Sequence, residues 1–306
     1  MRGGAAWERR GGVYSPRDPG NDWRCAVTGT EVLIDGLTFP EGPRWHDGRL
    51  WFSDFYSHRV IAADADGVAE TIVEVPGQPS GLGWLPDGRL LVVSMTDRKL
   101  MRLEAGGLVV HAGLSGIATF HCNDMVVDSV GRAYVGNFGS DYSTGEPLQA
   151  AKLARVDPDG RVSVAAEGLM FPNGAVITPD GGTLIIGETF ARCLTAFDRD
   201  AGGTLTNRRT WADLDPHFPD GICLDAEGAT WVADPRGNAV VRVAEGGAIL
   251  QMVSTGDRGA FACMLGGDDG RTLFICTAAG SGEAAAARRS GRIEFTRVDA
   301  PHAGWP

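Results

Sequence analysis

The chain is expected to be all-β: a six-bladed β-propeller with four antiparallel strands per blade, its ring closed by an N-terminal strand. Three observations predict this. Segments reading FPEGPRWHDGRLWF, QPSGLGWLPDGRLLV, HCNDMVVDSVGRAYV, FPNGAVITPDGGTLII, FPDGICLDAEGATWV and FACMLGGDDGRTLFI recur along the chain, the mark of a repeat architecture. Aligned with one another, they place Glu41, Ser80, Asn123, Asn173, Asp220 and Ala262 in one column, at spacings of 39, 43, 50, 47 and 42 residues. That is the length of one four-stranded blade. Finally, the last repeat is one strand short, while an unassigned strand, EVLIDGL, precedes the first.

Within a repeat, the first apolar run leads through HDGR, PDGR or PDGG into a second, and Asp-Gly pairs are strong hairpin signals. A third run follows (RVIAADAD, KLMRLEA, KLARVDPDG, CLTAFDRD, AVVRVAEGG) and then a fourth (AETIVEV, GLVVHAG, RVSVAAEGL, NRRTWADL, AILQMVS). The sixth repeat ends after RIEFTRVDA. VLIDGLTFPEG matches VAAEGLMFPNG almost position for position, so EVLIDGL reads as the missing fourth strand, and closure of this kind hides two exposed sheet edges. Residues 25–306 are expected to form this single domain, with residues 1–24 a flexible Gly- and Arg-rich extension. A sandwich or an open solenoid would leave the missing strand unexplained.

Composition narrows the function. A net charge of −11 and a pI near 5.0 disfavour nucleic acid, whose recognition rests on clustered Lys and Arg. No stretch approaches the ~18 apolar residues of a membrane span, and the N-terminus lacks the apolar core of a secretory signal, so a cytoplasmic location is expected. The 6 cysteines form no C-x-x-C pair and are expected as buried free thiols.

Chemistry concentrates in the aligned column. Equivalent positions of successive blades converge on the propeller axis, where a packing column would hold small or apolar residues, as Ser80 and Ala262 do. Glu41, Asn123, Asn173 and Asp220 instead bear oxygen. Two carboxylates gathered at a narrow axis cost several kcal/mol unless protons or a cation neutralise them. Taken singly, each residue fits a turn; four in one register point to a metal site. Oxygen ligation suits a hard divalent cation, Ca²⁺ ahead of Mg²⁺ or Mn²⁺, with Zn²⁺ second.

These motifs carry a resemblance. FPEGP with Glu41, the NDM segment with Asn123 and Asp124, FPNG with Asn173 and FPDG with Asp220 look like the SMP-30/gluconolactonase/regucalcin-like family, over roughly residues 31–300. The resemblance implies a six-bladed propeller with one catalytic divalent ion held by Glu41, Asn173 and Asp220. It also implies that Asn123 contacts ion or substrate, and that substrates are sugar lactones, other lactones, esters or organophosphates. In the sugar-lactonase members an arginine commonly stands two residues before the Asn-Asp pair; here His121 does, followed by Cys122. HCNDM looks closer to the drug-responsive lactonase and phosphotriesterase-like branches, which fits a bulkier or less hydroxylated substrate.

The expected mechanism polarises a lactone carbonyl with the cation and uses Asp220 as general base toward water. His121 and His217, two and three residues before column positions, are rival proton carriers. Substrate contacts are expected from Asn123, His121, Phe120 and, on the long insert GNFGSDYSTGEPLQAAK of blade 3, Tyr142. Phe39, Phe120, Phe171 and Phe218 precede the column in four blades and are expected mostly to pack between blades. Asp54, Asn137 and Glu188, ending second strands, read as solvated loop groups. The competing readings are phosphotriester hydrolysis on the same ion, a non-catalytic calcium- or partner-binding propeller, and a metal-free strictosidine-synthase-like propeller, which the four oxygen-bearing column residues disfavour.

Overall fold

The Asp-Gly hairpins form where the sequence places them. In the first, His46 pairs with Arg49 across Asp47 and Gly48, at φ 50° and 71°, the doubly positive geometry that a two-residue hairpin needs. The computed structural model describes residues 26–27 and 29–304; the extension 1–24 and Cys25 lie outside them. Six antiparallel sheets follow one another around a ring, with innermost strands Pro40–His46, Pro79–Trp84, Cys122–Val127, Pro172–Ile177, Ile222–Leu224 and Gly259–Gly266. Each inner strand meets those of both neighbouring blades, so the ring is complete.

Closure occurs as expected. Glu31–Leu37 pairs antiparallel with Gly291–Arg297 and becomes the outermost strand of blade 6. A further strand went unread in the sequence: Ala26–Val27 pairs in parallel with Met252 and Val253, adding a fifth strand to blade 5.

The core is divided among six apolar clusters, one between each pair of adjacent blades. Strand alternation produces this: in blade 3, Met125 and Val127 pack toward blade 2, while Val126 packs toward blade 4. Inner strands are therefore buried on both faces, and every residue of Pro172–Ile177 is buried. Among the described residues no helix is long and apolar enough to cross a membrane. The five described cysteines are free, four of them buried and Cys193 half-buried.

The acidic residues that end second strands depart from expectation. Asp54 is fully buried, its Oδ1 accepting from the Thr38 and Phe39 N–H groups at 2.9 and 2.7 Å and from the Thr38 hydroxyl at 2.6 Å. Buried Glu188 accepts from the Met170 N–H at 2.7 Å, and buried Asp234 from the Phe218 N–H at 3.4 Å. Each fastens the segment that enters its own blade just before the column residue. Buried Asn137 accepts from the Gly139 N–H and donates to the Lys152 carbonyl instead. These are internal fasteners, because the backbone N–H groups of a tight blade-to-blade crossing have no ladder partner and need an acceptor.

Candidate functional site

The column begins the inner strands. Glu41, Asn123 and Asn173 are each the second residue of their strand, and Asp220 stands just before Ile222. Immediately after the column position the ladder slips in blades 1 to 4, between Glu41 and Arg44, Pro79 and Leu82, Cys122 and Met125, and Pro172 and Ala175. Such bulges free a residue from pairing and redirect its side chain. Asp220 is outside the ladder altogether; its N–H donates to the Ala233 carbonyl at 2.9 Å, and its own carbonyl accepts from the Gly174 N–H at 3.2 Å.

Glycine follows the column in four blades, which lets the strands approach. A Cβ on Gly174 would lie 2.4 Å from the Ile222 nitrogen, and one on Gly81 would lie 2.4 Å from the Met125 nitrogen. In blade 3 the following residue is Asp124, and the space left by Gly81 is crossed by a buried ion pair. Arg44 Nη2 donates to Asp124 Oδ1 at 2.7 Å and to the Met125 carbonyl at 2.6 Å. Sequence reading missed Arg44, whose partner lies 80 positions away.

Glu41, Asp124 and Asp220 share one electrostatic neighbourhood. Burial first, then the charges of Asp220 and Asp124, push Glu41 well above the usual carboxylate range. Burial likewise raises Asp220, opposed by a hydrogen bond from Asn173 and reinforced by Asp124 and Asp234. Both keep some accessible surface. Asn173 Nδ2 donates to Asp220 Oδ1 at 2.5 Å and lies 3.3 Å from the Thr189 hydroxyl; Asn123 Nδ2 donates to the Pro172 carbonyl at 3.4 Å. With their nitrogens engaged, neither carboxamide oxygen accepts a hydrogen bond among the described residues. No three His, Cys, Asp or Glu side chains among the described residues form a metal-binding group. Asn173 is hydrogen-bonded to Asp220, Asp220 acts on Glu41 through its charge, and Asn123 is hydrogen-bonded to the carbonyl that precedes Asn173.

The remaining candidates surround this set unevenly. The His121 ring stacks on Phe120 with centroids 4.0 Å apart, and burial lowers its pKa, so it is neutral near pH 7. Tyr142 is 43% exposed and contacts Phe138, Phe171 and Phe190 at 6.0, 5.5 and 5.5 Å. Its phenol is raised by burial and then by the charge of Asp220. His217 is held by Asp234, Nδ1 to Oδ2 at 2.7 Å. Phe39 and Phe171 pack at the blade tops as expected, whereas Phe218 lies under the guanidinium groups of Arg192 and Arg236. Cys122 is buried in the apolar cluster between blades 2 and 3, where burial pushes its thiol up to about 12, too high for a nucleophile.

Comparison with known proteins agrees with this architecture. The family model described as the SMP-30/Gluconolactonase/LRE-like region matches residues 39–279. A pentonolactonase of Haloferax volcanii is 29% identical over 265 residues, 85% of this chain and 88% of that protein. A 6-deoxy-6-sulfogluconolactonase of Pseudomonas putida is 26% identical over 294 residues, 92% and 97% of the two chains. The crystal structure of a calcium-binding protein, regucalcin, from Agrobacterium tumefaciens superposes with a TM-score of 0.77 at 21% identity, covering 92% of this chain and 98% of that one. The chain belongs to the SMP-30/gluconolactonase/LRE-like family.

Proposed function

We propose that the protein is a divalent-cation-dependent hydrolase that opens a lactone or cleaves a related ester, with its site where the column residues meet. The observation that carries this reading is the pairing of Glu41 and Asp220. Both carboxyls are raised by desolvation, Glu41 further by the charge of Asp220 and Asp220 further by that of Asp124, and the carboxamides of Asn173 and Asn123 each offer a free oxygen. Such an arrangement is costly alone and favourable around a cation. Glu41, Asn173, Asp220 and Asn123 would hold the ion, and Ca²⁺ fits their hard oxygen donors best. When bound, the cation supplies Lewis-acid polarisation of the scissile carbonyl. The name of the regucalcin neighbour and the lactonase names of the relatives support this assignment.

Asp220 takes the proton of the attacking water. The Asn173 amide on Oδ1 steadies the carboxylate, which leaves Oδ2 to receive the proton. Protonated Asp220 then returns that proton to the leaving alkoxide, with neutral His121, two residues before Asn123, as the relay: one ring nitrogen accepts a proton as the other releases one. Asn123 orients the carbonyl.

The test is proton release from aldonolactones, alkyl lactones, aryl esters and a phosphotriester, comparing chelator-stripped protein with protein reloaded with Ca²⁺, Zn²⁺, Mg²⁺ or Mn²⁺. Lactone or ester turnover restored by a metal and absent in Asp220→Ala supports the reading. Turnover of the phosphotriester alone moves the protein to the phosphotriesterase class, and metal binding without turnover makes it a binding propeller.

A further inference from the structure

Six rings crowd the side of the column that carries Asn123 and Asn173. Phe120 stacks on His121 at 4.0 Å, and Phe138 stacks on Phe171 at 4.5 Å. Phe138 lies 6.0 Å from His121, which joins the two stacks, and Phe190 and Tyr142 meet Phe171 edge-on at 4.9 and 5.5 Å. They come from four separate connections: the entry to blade 3, its long insert, the entry to blade 4 and the turn after Glu188. Four of them, Phe120, His121, Phe138 and Phe190, are only half-buried, so part of their apolar surface is open to a ligand. The rings themselves carry polar atoms only at the His121 imidazole and the Tyr142 hydroxyl, and the adjoining Asp141 carboxylate is engaged by the Ser143 N–H and hydroxyl at 3.1 and 2.5 Å. The Arg98 guanidinium, whose charge acts on His121, is turned to the Ala118 carbonyl at 3.3 Å.

Resting on the lactonase reading, we infer that the substrate of this site is a lactone or ester whose ring bears an apolar, preferably aromatic, substituent that lies against the wall, and that polyhydroxylated sugar lactones are rejected. The physical basis is asymmetric. An aromatic substituent gains contact with ring surface that is already partly exposed. A sugar lactone would instead bury several hydroxyls against carbon, each losing its hydrogen bonds to water without a replacement. Tyr142, exposed at the outer end, is the specificity-determining residue of the wall; it touches the substituent and not the reacting carbonyl.

Binding of non-hydrolysable lactams separates this inference from the reaction itself. Calorimetry on the full-length protein would compare γ-phenyl-γ-butyrolactam with a polyhydroxylated γ-lactam, in wild type, Tyr142→Ser, Tyr142→Phe and Phe190→Ala. The phenyl lactam is expected to bind at least tenfold more tightly than the hydroxylated one. It should lose about five- to tenfold in Tyr142→Ser and Phe190→Ala and be retained in Tyr142→Phe. Preference for the hydroxylated lactam, absence of phenyl lactam binding, or equal affinity in all four proteins would overturn the inference. Opening of γ-phenyl-γ-butyrolactone is scored separately: lactam binding without lactone opening removes the hydrolase and keeps the apolar-ligand site, whereas opening of sugar and phenyl lactones alike does the reverse.

Discussion

Glu41 and Asp220 oppose their own ionisation. In cation-free protein both sit well above the ordinary carboxylate range, so the folded chain binds more protons than the unfolded one. Their contribution to stability is complete below the unfolded pKa, about 4, and is lost as pH rises through the folded values. Asp220→Asn is therefore expected to melt a few degrees above wild type near neutral pH in chelator, with the difference vanishing toward pH ~4, while abolishing turnover. Thermal melts across pH decide this; a variant that melts below wild type at neutral pH would mean the carboxylate is satisfied without a cation. Arg44 makes the opposite case. It neutralises Asp124 in a buried pair, so Arg44→Met strands a buried charge and should cost about 3–5 kcal/mol, part of it recovered by adding Asp124→Asn. Denaturant midpoints of the single and double variants give the comparison, and a neutral Arg44→Met would show that Asp124 does not need it.

At the level of strands, what positions the site is the combination of a bulge, a glycine and an acidic fastener. Gly174→Ala forces a Cβ to within 2.4 Å of the Ile222 nitrogen and 2.8 Å of the Asp220 carbonyl oxygen, both backbone atoms. It should lower the midpoint of denaturation and weaken metal binding together, since the same contact holds Asp220. Metal affinity unchanged in folded Gly174→Ala would show that Asp220 is placed by other means. The repeat period, the column and the missing strand were legible because each repeats or balances along the chain. Asp54 and Glu188 were misread as solvated because an acidic residue at a strand end has the same local signature whether it meets water or backbone N–H groups. Asp124 was legible as part of the NDM motif, but Arg44 carries no local signature, and only the ring brings blades 1 and 3 together across Gly81 to pair them. His217 was legible as a nearby histidine, but its buried partner Asp234 was not.

Across the whole molecule, two N-terminal strands do different work. Glu31–Leu37 completes blade 6 and places Leu37 in the cluster between blades 6 and 1, beside Ile293 and Cys276, with Leu33 and Ile34 packed against it. Ala26–Val27 adds a two-residue parallel edge to a blade already complete. A chain beginning at residue 29 should thus fold and melt within a few degrees of the full chain. One beginning at residue 39 leaves the Gly291–Arg297 edge and half an inter-blade cluster exposed, and should lose cooperative unfolding and aggregate. A peptide spanning residues 29–38, added to the shorter chain during refolding, should restore solubility in part, because it supplies the same ladder without the covalent link. Circular dichroism melts and light scattering on the two truncations distinguish closure from mere edge cover. Equal behaviour of both chains would mean that the ring is held by its inner strands alone, and the column with it.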